Sequence, residues 1–369
     1  MLTYLMSYKK VDFFFKKKIQ NYLYIFFIFL TCNLIEFSTN KAFSKTFVIS
    51  NIEVEEKYNL NFNKLNVIDR GFKKAFQDLS RMILERKDLD KTSNTSIDDI
   101  KKLIDNFSIL DEKFISNKYK SIMEVQFNRR KLIQFLNSKN IISSLPKNIE
   151  VFFLPVLVDL QSNSFNYLND NTFVKHWKDV EKNYFQIKYI LPNEDVEDYF
   201  AIKNNLKNIE NYNFKEIIKK YNLDNYIVMI ILKKNETIKL YSKIQFEDKF
   251  IVINENFTDK NIENKSDLYS LILNIKNIYE DNWKTLNKIS SSTSVPIRLS
   301  VEANNIEKSI KLENILNSLD FVNGYKIEKF DSREVVYKIN YLSNPKRFLK
   351  DIVSYDIIID TTSTNWKIK

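Results

Sequence analysis

Val151-Phe152-Phe153-Leu154-Pro155-Val156-Leu157-Val158 is a run of eight apolar residues, and Tyr226-Ile227-Val228-Met229-Ile230-Ile231-Leu232 is a second such run. A strand with one wet face alternates apolar and polar residues, so a run that does not alternate is expected of a strand covered on both faces. Between the two runs lie an aromatic-rich region around Trp177, Tyr184 and Phe185, a strand from Ile187 to Leu191, and a helix carrying Ile209, Phe214, Ile217, Ile218 and Tyr221. That order predicts α/β winding. Shorter runs from Ile238 to Ile244 and from Phe250 to Ile253 predict hairpin-like strands at an edge, and a helix from Leu268 to Trp283 closes the section.

Upstream, residues 46–54 read as a strand with Phe47 and Ile49 on one side and Val48, Ile52 and Val54 on the other. Ile68, Phe72, Ala75, Phe76, Leu79, Met82 and Ile83 then fall at steps of three and four, the stripe of a helix that buries one face. A second helix is expected at Ile97, Ile100, Leu103, Ile104 and Phe107, opened by Thr95 and Ser96 with Asp98 and Asp99 in its first turn. Tyr119, Ser121, Met123, Val125 and Phe127 alternate as a strand, and Leu132, Ile133 and Leu136 mark a short helix. The segment therefore reads as a βααβα module over 45–145, with a joint at Ser143, Ser144 and Pro146. The α/β module spans 146–288.

Ser290 to Ser294, followed by Pro296, is the clearest linker. Beyond it come a strand (Ile297, Leu299, Val301), a helix (Ile306, Ile310, Ile315, Leu316, Leu319), a strand near Tyr325 to Ile327, and another at Val335 to Tyr341. A helix at Phe348, Leu349 and Ile352 and a strand at Ile357 to Ile359 complete a ferredoxin-like βαββαβ order over 289–369. The fold class expected is mixed α/β and α+β. A sandwich of this kind hosts many functions, so it decides none.

The first 44 residues set the compartment. Lys9, Lys10 and Lys16 to Lys18 lead into the apolar run Ile19 to Ile35, whose purely apolar part, Leu23 to Leu30, has the size of an export-signal core. A spanning helix wants about 20 residues. Ala42 and Ser44 stand where a signal peptidase reads small residues, which puts a mature start near Lys45 and the protein in the periplasm. The alternative is an uncleaved inner-membrane anchor, with membrane association through residues 19–35. Phe29 and Thr31 depart from a lipobox before Cys32, the sole cysteine. Cleavage would leave no thiol for disulfides, catalysis or metal binding.

Composition mostly excludes. The net charge is +10, but residues 1–44 hold six lysines against Asp12 and Glu36, leaving about +6 outside. Only eight of the 57 basic residues are Arg, the imprint of an AT-rich coding sequence, and Lys lacks the bidentate contacts of a nucleic-acid-reading Arg patch. Nucleic acid ranks last among partners. With Gly71 and Gly324 as the only glycines, the dinucleotide fingerprint, the Walker A loop and the Gly-flanked serine elbow are impossible as written. His176 is the only histidine, so no two-histidine metal site exists, and beside Trp177 it reads as a packing or surface residue.

The best local candidate for chemistry is the acidic segment Leu191-Pro192-Asn193-Glu194-Asp195-Val196-Glu197-Asp198. Asp195 and Asp198 are its candidate metal ligands, for a hard cation such as Ca²⁺ or Mg²⁺. The competing reading makes Asp195 a helix cap and its neighbours solvated first-turn acids. No catalytic residue and no cofactor is expected.

These landmarks, taken in order, resemble the bacterial envelope family called domain of unknown function 2066. The resemblance rests on Phe47 to Val54, the helix from Val67 to Ile83, and the segment from Leu110, Asp111, Glu112 and Lys113 through Tyr119 to Phe127. It continues through Phe153 to Val158, Trp177, the acidic turn, Tyr226 to Leu232, Trp283, and Trp366 to Ile368. The chain departs from the pattern at Glu194, where the family tends to have Gly, and in a first helix poor in Ala. The resemblance implies an exported envelope protein of unknown biochemical role and supplies no catalytic residues. The function expected is non-catalytic binding to an envelope protein or cell-wall component. The alternative is a carboxylate or metal-assisted hydrolase of an envelope substrate using Asp195 and Asp198.

Overall fold

The computed structural model describes residues 46–235, 237–289, 295–319, 321–363 and 365–369. The expected export segment with Cys32 and the expected linker at Ser290 to Ser294 lie outside the described residues. The rest is mixed α/β, built on three sheets.

The first sheet holds β1 (Thr46–Lys57), β2 (Ile104–Ile115) and β3 (Lys118–Asn128) in the order β1-β3-β2, all antiparallel. Between β1 and β2 run α1 (Lys64–Ile83), α2 (Arg86–Ser93) and α3 (Ile97–Leu103); α4 (Arg129–Ser138) follows β3. The expected α1 stripe is the buried face, and Asn63 caps it by accepting the Leu65 N–H. Gly71 lets α1 approach β3, because a Cβ there would lie 2.5 Å from the Met123 sulfur.

Two expectations need correction here. In β1, Phe47, Ile49, Ile52 and Val54 are all buried while Val48 is exposed. The cause is a bulge between Ile49 and Ile52, with Asn51 at φ 58°, which inserts a residue and flips the phase of the alternation. The second correction concerns Ile104 and Phe107, which belong to β2 rather than to a helix; α3 ends at Leu103. As an edge strand with mostly exposed side chains, β2 carries no apolar alternation to read. Phe107 still packs edge-on against Phe72, with ring centres 5.0 Å apart.

The middle sheet contains β4 (Ile149–Asp159), β5 (Ser164–Tyr167), β6 (Ile187–Ile190), β7 (Tyr226–Lys234), β8 (Thr237–Phe246) and β9 (Lys249–Phe257). Its order is β5-β4-β7-β8-β9, with β6 on β4; β4 is parallel to β6 and β7, and the remaining pairs are antiparallel. Its helices are α5 (Thr172–Trp177), α6 (Val196–Asn204), α7 (Lys215–Lys219) and α8 (Lys265–Leu286). The two apolar runs are the paired strands β4 and β7, buried on both faces. Val151, Phe153, Leu157, Ile227, Met229 and Ile231 share a core with α8. Phe152, Leu154, Val156, Val158, Val228 and Ile230 join Ile202, Ile209, Phe214 and Ile217 on the other side.

The helix expected through Ile209 and Tyr221 is broken into a 3-10 segment, Leu206–Asn211, and the five-residue α7. Asparagines interrupt it. Asn208 leaves the helical region at φ −132° and ψ 35°, Asn205 Nδ2 donates to Ala201 O at 2.8 Å, and Asn213 Oδ1 accepts the Lys215 N–H at 3.1 Å. Such local bonds compete with helix propagation.

The last sheet holds β10 (Val295–Glu302), β11 (Val322–Phe330), β12 (Glu334–Tyr341), β13 (Ile359–Asp360) and β14 (Trp366–Ile368), with α9 (Ile306–Ser318) and α10 (Pro345–Val353). The order β11-β12-β10-β14-β13 contains the expected split βαβ. It departs at the end. β14 lies parallel to β10 and pushes the two-residue β13 to the edge. The first sheet follows the same β-α-β-β-α course, its third strand likewise between the first and second. One apolar core joins the two sheets through Phe127, Leu136, Leu145, Ile289, Leu299, Tyr337 and Phe348. No helix of the described residues is long and apolar enough to cross a membrane.

Candidate functional site

The acidic turn leads from β6 into α6. Asp195 is the N-cap, with extended backbone, and its Oδ1 accepts the N–H of Glu197 at 2.8 Å and of Asp198 at 3.3 Å. Asp198 is only 3% exposed. Both carboxylates converge on Lys220, which follows α7: its Nζ donates to Asp195 Oδ2 and Asp198 Oδ1 at 2.7 Å each. The ammonium thus occupies the position between them that a divalent ion would need. Hydrogen bonds from Lys220 and then Glu197 hold the Asp195 carboxyl below its usual range, and the two carboxylates raise Lys220 in turn. Glu194 points elsewhere, accepting from Asn169 Nδ2 at 2.7 Å. Among the described residues no group of three or more His, Cys, Asp or Glu side chains is arranged to hold a metal.

Asp198 Oδ2 and the Tyr167 hydroxyl are buried without a protein partner. Burial, and then the Asp198 charge, push the Tyr167 phenol well above its ordinary range. The arrangement is chemically an ion-paired cap that ties α6 to the end of α7. His176 lies apart from it, with Nδ1 2.8 Å from Asp179 Oδ2. The Tyr269 hydroxyl donates to the same Asp179 oxygen at 2.6 Å, so the histidine belongs to a half-exposed surface cluster.

The structure also holds a polar cluster that sequence reasoning missed. Lys276, Glu280 and Lys284, four residues apart on α8, face inward and are 0%, 2% and 6% exposed. Lys276 Nζ donates to Val180 O at 3.0 Å and Glu181 Oε2 at 2.8 Å, and it lies over the rings of Trp177, Phe185 and Tyr189 at 5.3 to 5.4 Å. Glu280 Oε1 accepts the N–H groups of Gln186 and Ile187 at 2.9 and 3.0 Å, while Oε2 is buried without a partner. Burial raises Glu280 to about 7 and lowers both lysines.

Lys284 Nζ donates to Arg81 O at 2.5 Å and Leu84 O at 2.9 Å, placing a cation on the carbonyl end of α1. Gln186 Nε2 donates to Met82 O at 2.5 Å. Beside them, burial alone would raise Glu85, but hydrogen bonds from Lys288, Lys87 and Thr285 outweigh it and hold the carboxyl at about 2. These contacts clamp the end of α1 to α8 and so fix the first sheet against the middle one. The i, i+4, i+8 spacing was visible in the sequence, but it reads equally as a solvated stripe.

The middle sheet also presents an edge. β9 ends the middle sheet and pairs with β8 over nine consecutive positions without a register shift. Among the described residues the other edges are interrupted or short: β1, β2 and β11 carry bulges, β5 and β6 have four residues each and β13 two. On β9, Ile251, Ile253 and Phe257 pack inward, whereas Phe250 and Val252 are 56% and 48% exposed. Glu247 and Asp248 make the two-residue turn before it, with Glu247 at φ 50°. Residues flanking such a turn form a hydrogen-bonded pair, so Phe250, Val252, Asn254 and Asn256 direct their N–H groups away from β8.

No known family model matches the chain, and no curated protein shows significant similarity to it.

Proposed function

We propose that this chain is an exported, envelope-associated protein of the domain of unknown function 2066 type that works by binding, taking an extended segment of another envelope protein onto the open edge of β9. The observation that carries the reading is the edge itself: nine regular positions, four outward N–H groups, and two uncovered apolar side chains beside them. Natural sheets blunt their edges with bulges, charge or brevity, as the other edges here do. An edge left regular suits strand addition, in which main-chain hydrogen bonds give affinity and alternate side chains give selectivity. The clamp of α8 on α1 supports it too, since a rigid platform loses less entropy on binding. Lys220 weighs against the hydrolase reading, because its ammonium already engages both Asp195 and Asp198.

The test is a photo-crosslinker at position 252 in the full chain, expressed in its native envelope. A discrete protein adduct is expected, and Asn254→Pro should abolish it while leaving the thermal melt near wild type, because the proline removes only an outward N–H. An adduct that survives Asn254→Pro, or none at all, refutes strand addition.

A further inference from the structure

A second surface lies at the far end of the first sheet, where β1 runs into α1 and β2 turns into β3. Tyr58 N–H donates to Asn117 O at 2.8 Å, which holds the junction between β1 and α1, residues 57–65, beside the hairpin tip 113–118. Leu60 is fully exposed, Leu65 67%, Phe114 62%, Tyr58 54% and Ile115 52%. Behind these the rings of Tyr58, Phe62, Tyr119 and Phe114 pack in a closed circuit with centres 5.0 to 5.1 Å apart. Phe62 N–H donates to Asn59 O at 2.9 Å, and Ser116 and Asn117 take the positive φ values of a tight hairpin turn. The apolar tip is therefore preformed.

The two segments that form it are basic. Lys57-Tyr-Asn-Leu-Asn-Phe-Asn-Lys-Leu65 and Lys113-Phe-Ile-Ser-Asn-Lys118 contain four lysines and no acid. The acids stand one step back, where Glu112 pairs with Lys64, Asp111 with Lys113, and Glu55 with Lys118. The partners are about a third or more exposed, so an anionic surface has to compete with these carboxylates for three of the four lysines.

We infer that this tip docks on an anionic phospholipid surface, with Leu60, Leu65 and Ile115 entering the acyl boundary. Tyr58 and Phe114 lie at headgroup level, and Lys57, Lys64, Lys113 and Lys118 reach the phosphates. Composition favours lipid over protein. Protein hot spots are rich in Trp, Tyr and Arg and poor in Lys and Leu, whereas exposed Leu and Ile ringed by aromatic residues and Lys is the chemistry of an interfacial anchor. The inference stands apart from the β9 reading, since it uses a different surface and a different partner.

The test uses the full chain with Cys32→Ser and Leu60→Cys, carrying an environment-sensitive fluorophore at position 60. It is mixed with bromolipid vesicles of either phosphatidylglycerol and phosphatidylethanolamine or phosphatidylcholine alone. A local probe reads the tip whatever residues 19–35 contribute. Quenching is expected in the anionic vesicles alone, with apparent affinity falling roughly fivefold for each of the four lysines changed to Gln. Equal quenching in both vesicles, or none, overturns the proposal. So does a probe that stays in water with lipid and is shielded only by added envelope protein, which would make the tip a protein contact.

Discussion

Glu280→Gln is the most quantitative perturbation available. Glu280 lies in the core beneath β6, raised by burial from 4.5 to about 7. Lys284 and the N–H groups of Ile187 and Gln186 oppose that shift, and Glu181 adds to it. A carboxyl raised on folding holds its proton more tightly in the native state, so its contribution is complete below pH 4.5 and is lost as pH rises through about 7. About 2.5 pH units at ~1.4 kcal/mol each gives on the order of 3 kcal/mol of stability lost between pH 4.5 and pH 8. Gln keeps an oxygen for the two N–H groups but cannot ionise. Denaturant unfolding of wild type and variant across pH 4.5 to 8 should therefore give curves whose difference changes by about 3 kcal/mol. A constant offset would report only the buried amide. If the two proteins lose stability in parallel, Glu280 is not the titrating group and the reasoning fails.

Lys220→Met should lower the melting temperature by leaving Asp198 buried beside no cation, and adding Asp198→Asn should restore part of the loss; a double variant no better than the single one would show that the pair is not coupled. Trp177→Ala removes the ring that packs on Phe153 at 4.5 Å and Tyr189 at 5.2 Å and that faces Lys276. Its cost should be about 3–5 kcal/mol in denaturant unfolding. A loss under 1 kcal/mol would mean that the site collapses around the gap.

The doubly buried strands β4 and β7 were legible because burial on both faces leaves no room for polar residues, and runs of seven and eight residues have the length of strands rather than of helices. The α1 stripe was legible for the same reason on one face. What was lost has physical causes. β2 is held by backbone pairing to β3 rather than by buried side chains, so hydrophobic periodicity is silent over it. The β1 bulge shifts a phase that no local residue announces except Asn51. In the acidic turn, the capping role of Asp195 was readable from its neighbours, but Lys220 is 25 residues away and reaches it only because α7 folds back on α6. The lysines and glutamate of α8 are polar residues on a buried face, and only their partners on Val180, Gln186 and the end of α1 reveal that they point inward.

The central claim, that β9 is left open for a partner, is tested most directly by amide hydrogen exchange at Phe250, Val252, Asn254 and Asn256. In the isolated protein these four should exchange fast while Ile251 and Ile253, bonded to β8, are protected; in complex with the proposed partner all six should be protected. Protection of the four outward amides in the isolated protein, or fast exchange in the complex, would contradict the account.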